Sequence, residues 1–567
     1  MQKTKKKIIS IISKLMVTCL VVILILIQVQ VKAESSNNNV FDEVRVGMFF
    51  KNSSSPNVSN EISYFNISSP KGVEAGYLKD GEFFKIFDTG DGSVLTVRKD
   101  SYYIIDGASI QECKPGANNL PEESKIGPFH IQVGGSYDNY ETVKTEVDKY
   151  IQKGINVYPA YTDSWYIWTG FYVDQNSAEQ NIKNSLIPKI GEEKYSIVQP
   201  SKNNIVVTMK SNETRLIFGN SEGYFQVRPR MENNPYIFNI NGKNYRGIIE
   251  TRRLEESDLT VINILPIEHY LYGVVPSEIE WSSHPEALKA QAVAARTYIY
   301  NNMGKYSKLG FDVCSSVNSQ VYGGFSVEKE TTNKAVDETQ GKKLYYNSVL
   351  AQVFYFSSSG GRTEAAKNVW SEDLPYLQSV EDKYEQEGSK NYTWEKTISA
   401  AKAGDIMVSL GNDIGEVLRI TIDNTSEAGR AIKMTVAGTK GEKVFLNSRC
   451  RDLLSLPSQW FTISTDSDAA VWNSSANEKI SVQVGGKKVV SVNGSGTIAV
   501  NGNISVLGDN GLKRIIPAVP STYTFSGRGY GHAVGMSQQG AKGMANAGFT
   551  YEDILLHYFY GTNIKYE

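Results

Sequence analysis

Short stretches in which apolar and polar residues alternate dominate the region that follows the N-terminal leader. The segments EVRVGMFF, FFKIFD and SVLTVRKDSYYII are separated by Gly, Ser and Asp. This alternation is typical of short β-strands joined by turns. It predicts a β-rich N-terminal region over residues 41–115, and the run KPGANNLPEESK at 114–125 predicts a linker after it.

Residues 126–199 have a different rhythm, in which helical and strand periods alternate. Their two halves have similar sequence patterns, IQVGGSYDNYETV in the first and IWTGFYVDQNSAE in the second. In each half a strand rich in Gly and aromatic residues leads through an Asp/Asn turn into a helix. The pattern predicts a ferredoxin-like βαββαβ unit. Its expected elements are a strand at 129–133, a helix at about 139–153, strands at 156–161 and 164–172, and a helix at about 177–185.

This unit resembles the SPOR domain, a small module that binds peptidoglycan glycan strands stripped of their stem peptides. The resemblance implies glycan binding, and the alternative is a βαββαβ unit without a ligand. Aromatic side chains in the unit could stack on sugar faces, although packing in the core is the other role open to them. They are Tyr137, Tyr140, Trp165 and Trp168.

Residues 204–567 begin with β-rich sequence and then mix helical and strand patterns. Within them, residues 466–519 contain ISVQVGGKKVVSVNGSGTIAVNGNISVLGDNG, which is typical of strands joined by Asn-Gly turns. We interpret this segment as a β-rich insertion with a structural or accessory role. The whole chain is thus expected to be a multidomain protein of the mixed α+β class.

One acid stands at the end of an apolar stretch in this C-terminal region. Glu278 lies in HYLYGVVPSEIEW, just before SHPEALKAQAVAARTYIY, a segment with firm helical periodicity. Ser283 and Glu286 have the spacing of a capping box, and Pro285 falls in the first turn. Apolar neighbours such as Val275 are expected to raise the pKa of the Glu278 carboxyl. From these residues alone, an ordinary charged loop residue is the better explanation.

Three motifs, in this order, resemble the stage II sporulation protein D and amidase-enhancer family. They are HYLYGVVPSEIEW with HPEALKAQAVAARTY, the segments of 311–382 that include SQVYGG and FSSSGGRTEAAKNVW, and FSGRGYGHAVGMSQQGAKGMANAGFTYEDILLHYFYGTNI at 525–564. The resemblance implies an α/β catalytic domain over residues 204–567. It also implies lytic cleavage of peptidoglycan glycan strands, with the Glu of PSE, here Glu278, as the catalytic acid. Glu280, two residues further on, is its rival.

The resemblance also suggests which residues bind substrate. Arg296 would orient oxygens of the sugar, or else form a helix salt bridge. The Ser/Gly turn SSSGGRTE would let a ligand approach backbone N–H groups, or simply be a tight hairpin. The expected substrate-binding residues are Arg296, Gln320, Tyr322, Ser359, Gly360, Gly361, His532 and Gln538.

A metal site is not expected. Some members of the family hold zinc with Cys and His in the segment that here is DVCSSVNSQVY. Cys314 remains, but Asn318 and Ser319 stand where a His-Cys pair would be expected, and one thiolate is a poor zinc site. No cofactor is predicted. The glycine-rich GRGYGHAVG lacks the pattern of a phosphate-binding loop, so we expect no nucleotide.

The leader and the charge of the chain limit its partners. Residues 1–33 combine a basic start, MQKTKKK, with an apolar run, which predicts a signal peptide or an uncleaved membrane anchor. Without them the chain keeps 53 basic and 61 acidic residues, so it lacks the basic footprint of a nucleic-acid-binding protein. Of the four cysteines, three lie beyond residue 33, at Cys113, Cys314 and Cys450, and such a widely spaced set is not a disulfide framework.

These observations predict an exported, cell-wall-associated enzyme that cleaves denuded glycan strands, a peptidoglycan lytic transglycosylase. The alternative is a non-catalytic peptidoglycan-binding activator of a cell-wall amidase, in which Glu278 is inactive. The expected partners are peptidoglycan glycan strands and, in the second case, the amidase.

Overall fold

The computed structural model describes residues 43–106, 109–114, 125–209, 213–219, 223–230, 235–254, 258–473, 477–485, 487–491, 494–497, 502–507 and 511–566. The predicted signal segment, residues 1–33, lies outside the described residues. None of the helices in the described ranges is both long and apolar enough to cross a membrane.

The N-terminal half is built mainly of strands. They are β1 (Glu43–Phe49), β2 (Tyr64–Ser68), β3 (Val73–Lys79), β4 (Glu82–Asp88), β5 (Val94–Lys99), β6 (Tyr103–Asp106), β7 (Ser109–Glu112), β8 (Lys125–Ile126), β9 (Phe129–Tyr137), β10 (Val157–Tyr161), β11 (Trp165–Tyr172), β12 (Tyr195–Val198), β13 (Asn204–Met209), β14 (Thr214–Gly219), β15 (Tyr224–Pro229), β16 (Ile237–Ile240), β17 (Lys243–Arg246), β18 (Ile248–Arg253) and β19 (Leu259–Pro266). The helices are α1 (Tyr140–Gln152), α2 (Gln175–Asn181) and α3 (Ile187–Ile190).

The C-terminal half mixes helices with smaller sheets. Its helices are α4 (Ile267–Glu278), α5 (Pro285–Asn302), α6 (Glu330–Glu338), α7 (Lys367–Trp370), α8 (Ala400–Ser409), α9 (Arg449–Asp452), α10 (Gln538–Asn546) and α11 (Tyr551–Tyr558). Its strands are β20 (Val313–Cys314), β21 (Lys342–Tyr346), β22 (Val349–Leu350), β23 (Tyr355–Phe356), β24 (Thr393–Ser399), β25 (Val417–Thr425), β26 (Ala431–Gly438), β27 (Gly441–Leu446), β28 (Phe461–Thr465), β29 (Asp468–Asn473), β30 (Glu478–Gln483), β31 (Lys488–Ser491), β32 (Gly494–Thr497), β33 (Asn503–Leu507), β34 (Lys513–Pro517), β35 (Thr522–Arg528), β36 (Met536–Ser537) and β37 (Asn563–Tyr566).

The predicted βαββαβ order is present in β9–α1–β10–β11–α2–β12, and these strands stand side by side in the order β12-β9-β11-β10. Helix α1 begins where predicted because the Asn139 side chain accepts the Thr142 N–H at 2.9 Å, which satisfies a free donor of the first turn. Trp165 and Trp168 are buried, and Tyr140 packs against Trp165 at a ring separation of 5.2 Å. These rings therefore have packing roles. The SPOR assignment itself stays a prediction.

The sheets run through all three predicted regions of the chain. Strand β10 continues the βαββαβ sheet into β14 by parallel pairing, and β13, β5, β2, β16 and β17 extend it to ten strands. A seven-stranded sheet has the order β20-β1-β19-β18-β15-β3-β4. Strands from 43–99 and from 204–266 thus lie next to each other. The domain bounds drawn from the sequence stay predictions. In the structure, strands from the predicted regions share the same sheets.

The C-terminal region surrounds one buried helix, α5, which packs against α4, α6, α10, α11 and β21. Strand β35 lies between β24 and β28 in a three-stranded sheet. The predicted insertion, residues 466–519, leaves this sheet after β28 and returns to it at β35, its neighbour. Its described residues form the hairpins β29–β30, β31–β32 and β33–β34.

Candidate functional site

Helix α4 carries Glu278 to the edge of the core. Its buried residues recur at helical spacing, at Ile267, Tyr270, Leu271, Val274 and Val275, so one face of the helix packs inward. The helix ends at Glu278 because Ile279 has extended backbone angles. Glu278 is therefore the last residue of a well-packed helix, in a fixed position, and its side chain is half-buried.

The Glu278 carboxyl is held by three donors. The Val321 N–H donates to Oε1 at 2.8 Å, and the side chains of Gln538 and Tyr355 also hydrogen-bond to it. Burial raises the pKa of Glu278 above its ordinary value, and these hydrogen bonds lower it by less. The rise has the direction expected from the sequence. A carboxyl in this state can hold a proton closer to neutral pH and return to the carboxylate without losing its partners.

A cavity of about 480 Å³ opens beside Glu278. Four segments meet around it: the end of α4, the turn after β23, the chain before β24 and the first turns of α10. The parallel pairing of β23 with β36 places Tyr355 beside the start of α10, which explains how Tyr355 and Gln538 reach the same carboxyl. The lining residues are Pro276, Ser277, Glu278, Ile279, Glu280, Ser357, Lys390, Asn391, Gln538, Gln539 and Lys542.

Glu280 lines the same cavity in a different electrostatic state. Lys542 Nζ lies 3.1 Å from Glu280 Oε2, and the side chain of Glu280 is 63% exposed. The hydrogen bond and the charge of Lys542 lower the pKa of Glu280. Of the two acids in the described lining, Glu280 is therefore the one held ionised, and Glu278 is the better proton donor.

Gln320 and Tyr322 lie behind the cavity. Neither is among the described residues that line it. Gln320 is buried, and its Nε2 donates to the Tyr355 hydroxyl at 2.9 Å and to the Ala295 carbonyl at 3.2 Å. It thus holds Tyr355 against Glu278. Tyr322 is also buried, and its hydroxyl donates to Asn263 Oδ1 at 2.9 Å.

Arg296 is fully buried and is not among the described residues that line the cavity. Its guanidinium makes two hydrogen bonds to Glu268, of 2.7 and 2.6 Å, and a third to the Val336 carbonyl at 3.2 Å. The salt bridge considered from the sequence is therefore present. The partner of Arg296 is Glu268, which lies on α4 and not on α5. Arg296 therefore joins α5 to the helix that carries Glu278.

The Ser/Gly turn after β23 faces a buried acid. The N–H groups of Ser359 and Gly360 donate to Glu385 Oε2 at 2.8 and 3.1 Å. Gly361 donates to the Ser359 hydroxyl at 3.0 Å, and the φ angles of the two glycines, 70° and 108°, favour glycine. These N–H groups are directed to protein partners. The cavity is lined instead by Ser357, two residues before Ser359.

His532 lies beneath Tyr355 among aromatic rings, with ring separations of 5.4 Å to Phe356 and 5.0 Å to Trp370. Its Nε2 lies 3.1 Å from the Tyr355 carbonyl, and its Nδ1 accepts the Val534 N–H at 3.1 Å. Burial lowers the pKa of His532 to about 3, so the ring is neutral. It positions β23, whereas Gln538 lines the cavity itself.

Cys314 is buried beside hydroxyl groups. Its Sγ lies 3.4 Å from the hydroxyls of Ser316 and Ser319. Within the described ranges, no three His, Cys, Asp or Glu side chains stand close enough together to hold a metal ion. The expectation of a metal-free protein stays a prediction.

Several residues of the site were not found from the sequence. Tyr355 reaches Glu278 only through strand pairing, and Ser357, Lys390, Asn391, Gln539 and Lys542 reach the cavity only through tertiary packing. For Tyr355 and Ser357 the available signal was their position directly before SSGG, inside a motif already singled out. For Lys390 and Asn391 the sequence offers only a short polar run, EQEGSKN.

The C-terminal region that contains Glu278 is similar to known proteins. Residues 255–346 match the family model described as SpoIID, Stage II sporulation protein. The amidase enhancer of Bacillus subtilis (strain 168) is 30% identical over 370 residues, which are 63% of this chain and 49% of that protein. Stage II sporulation protein D of the same strain is 29% identical over 322 residues, 53% of this chain and 75% of that protein. Stage II sporulation protein D of Bacillus amyloliquefaciens is 29% identical over 325 residues, which are 54% of this chain and 76% of that protein.

The match thus spans about half the length of the amidase enhancer. The family-model match covers α4, α5 and the chain as far as β21, and so includes Glu278 and Val321. Together, the family-model domain and these relatives support the SpoIID family for this region of the chain.

Proposed function

We propose that this protein is an exported, cell-wall-associated lytic transglycosylase that cleaves peptidoglycan glycan strands lacking stem peptides, with Glu278 as its acid and base. The observation that carries the proposal is the Glu278 carboxyl, whose pKa is raised by burial at the wall of a cavity of about 480 Å³. The relatives named for sporulation and for amidase enhancement support a role at the cell wall.

The reaction needs one carboxyl because the substrate supplies its own nucleophile. Glu278 would donate its proton to the glycosidic oxygen as the bond from that oxygen to the anomeric carbon breaks. The C6 hydroxyl of the same sugar then bonds to the anomeric carbon and gives its proton to the Glu278 carboxylate. The products are a 1,6-anhydro end and a free hydroxyl on the leaving sugar, and the enzyme regains its starting state. The nucleophile is already tethered, which favours the step through proximity.

The surroundings of Glu278 suit both halves of this cycle. Burial favours the protonated acid that begins the reaction, and the donors Val321, Gln538 and Tyr355 stabilise the carboxylate formed midway. A hydrolase of the usual type would need a second carboxylate to activate water or form a bond to the sugar. The other described acid of the lining, Glu280, is held by Lys542.

The test measures the release of soluble fragments from purified, peptide-free glycan strands by residues 34–567. Glu278→Gln keeps the shape of the side chain and removes its acid, so we expect fragment release to be lost. Glu280→Gln is the matched control, since it removes the neighbouring acid of the same cavity, and it should still cleave. Equal activity of the wild type and Glu278→Gln would overturn the proposal.

A second function is favoured by the relative named amidase enhancer. In this case the chain binds glycan strands and activates a cell-wall amidase without cleaving them. The same assay separates the two functions when a purified amidase and intact peptidoglycan are added. Stimulation of peptide release by both the wild type and Glu278→Gln, without cleavage of glycan, would support this second function.

A further inference from the structure

Two lysines, Lys390 and Lys542, line the cavity that contains Glu278. Lys542 is paired with Glu280 at 3.1 Å, whereas Lys390 is exposed and forms no salt bridge with any described residue. When Glu278 holds its proton, the ionised side chains of the wall are therefore two cations and one anion. The cavity that receives the substrate carries a net positive charge within a chain whose overall charge is negative.

The backbone fixes Lys390 at the cavity. It is the second residue of a turn closed by the Tyr392 N–H, which donates to the Ser389 carbonyl at 3.1 Å. The third residue of this turn, Asn391, has a φ of 68°, a conformation that Asn tolerates better than most residues. The Asn391 side chain also donates to the Ser357 hydroxyl at 3.1 Å. The turn is thereby attached to the segment after β23, which also lines the cavity.

Lys542 is held by a separate element. It lies on α10 four residues after Gln538, so the two side chains share one face of the helix, and Gln538 hydrogen-bonds to Glu278. The positive wall therefore consists of two segments far apart in sequence. One is bonded through Asn391 to Ser357 in the cavity wall, and the other lies one helical turn from Gln538, which holds the acid. This arrangement suits an anionic group on the substrate, close to the bond that is cleaved.

We propose that Lys390, with Lys542 beside it, binds the carboxylate that a muramic acid residue carries once its stem peptide has been removed. This inference rests on the proposed function. In an intact strand that carbonyl is part of a neutral amide. Hydrolysis of the amide, in which water adds and the peptide leaves with its free amine, produces a carboxylate that a lysine can pair with. A charge pair would thus select denuded strands at the catalytic cavity itself.

The test measures binding with the Glu278→Gln protein, so that strands are not consumed. The ligands are denuded glycan oligosaccharides, the same oligosaccharides with their carboxyls methyl-esterified, and chito-oligosaccharides of equal length, which have no such carboxyl. We expect the free carboxylate to bind about five- to tenfold more tightly than the ester or the chito-oligosaccharide. In Glu278→Gln with Lys390→Gln this preference should shrink to about twofold or less. Lys390→Arg should keep most of it.

Lys402→Gln is the matched control, because Lys402 is an exposed lysine on α8 that does not line this cavity. Any contribution from the βαββαβ unit is the same in all variants and cancels in the comparison. An unchanged preference in Lys390→Gln would overturn this inference and leave the proposed function standing, provided that the wild type cleaves denuded strands. Failure of every glycan to bind would overturn both.

Discussion

Two places in this molecule hold desolvated carboxyls, and they differ in what they face. Glu278 is half-buried beside a cavity, with three donors on its carboxyl. Asp382 is fully buried next to Glu385, and the Ser359 hydroxyl lies 2.8 Å from Asp382 and 2.5 Å from Glu385. Burial and the charge of Glu385 raise the pKa of Asp382 to about 6. Both acids are thus poised to hold a proton, yet only Glu278 is open to a ligand.

A raised pKa alone therefore does not identify a catalytic acid. The Tyr558 hydroxyl donates to Asp382 at 2.9 Å, and a Cβ added at Gly540 would collide with the same carboxylate. The close approach of α10 therefore seals the pair and leaves no room for substrate. Asp382 and Glu385 brace the Ser359 turn, whereas Glu278 combines a raised pKa with access.

The largest expected effect separates the two acids by activity. We expect Glu278→Gln to lower the rate of glycan cleavage by about 100- to 10,000-fold, the usual range for loss of a general acid. Asp382→Asn should lower it by less than about tenfold, since the amide oxygen can still accept from the Tyr558 hydroxyl and the amide NH2 can donate to the Ser359 hydroxyl. Initial rates on denuded strands check both. A loss in Asp382→Asn as large as that in Glu278→Gln would contradict the assignment of Glu278, and not Asp382, as the catalytic acid.

The next effect concerns the pH dependence of stability. Because the pKa of Asp382 is raised in the folded protein to about 6 from an ordinary 3.8, the folded state binds this proton more tightly than the unfolded chain does. The contribution of Asp382 to the free energy of unfolding therefore increases as pH falls from about 6 towards 4, by up to about 3 kcal/mol.

In Asp382→Asn, residue 382 does not titrate. The free energy of unfolding of this variant relative to the wild type should therefore be highest at pH 7 and above, and it should fall as the pH approaches 4. Urea unfolding of both proteins across this range measures the difference. A difference that stays constant between pH 4 and 8 would contradict the assignment of the raised pKa to Asp382.

A smaller effect is expected from Tyr355, which touches Glu278 but is not an acid in the reaction. Tyr355→Phe removes one of the donors that stabilise the Glu278 carboxylate, so the pKa of Glu278 should rise further. We expect cleavage to slow by about tenfold, as for loss of one hydrogen bond to a charged group. The pH at which activity begins to fall should also move upward. The pH profile checks this, because purely structural damage would lower the rate at every pH alike.

The smallest expected effect concerns the turn that holds Lys390. Asn391 has a φ of 68°, so Asn391→Ala should destabilise the protein by about 1 kcal/mol, while Asn391→Gly should cost less despite losing the same hydrogen bond to Ser357. Thermal unfolding of the two variants measures the comparison. Equal destabilisation would mean that the side-chain bond, rather than the backbone, fixes the turn.

The features of this protein that its sequence predicts are local ones. The apolar spacing of Ile267 to Val275 predicts the buried face of α4, and the repeated strand–turn–helix pattern predicts the βαββαβ order. The apolar neighbours of Glu278 predict the direction of its pKa. Each of these depends on residues close together in the chain.

The parts that could not be predicted depend on tertiary contacts. The start of α5 is one example: the predicted capping box of Ser283 and Glu286 is wrong, because the N-cap is His284, whose ring accepts the Glu286 N–H at 3.3 Å. Arg296 finds its partner on another helix. Tyr355 reaches Glu278 through pairing with a strand some 180 residues away in sequence, and no local pattern encodes such pairings.

The claim that one carboxyl acts as both acid and base is tested by mass spectrometry of the fragment ends. Denuded glycan strands incubated with the wild type should give fragments with 1,6-anhydro ends, and Glu278→Gln should give fewer of them by about 100-fold or more. Reducing ends from the wild type would contradict the claim. They would mean that water is the nucleophile and that a second group, for which Glu280 would be the first candidate, activates it.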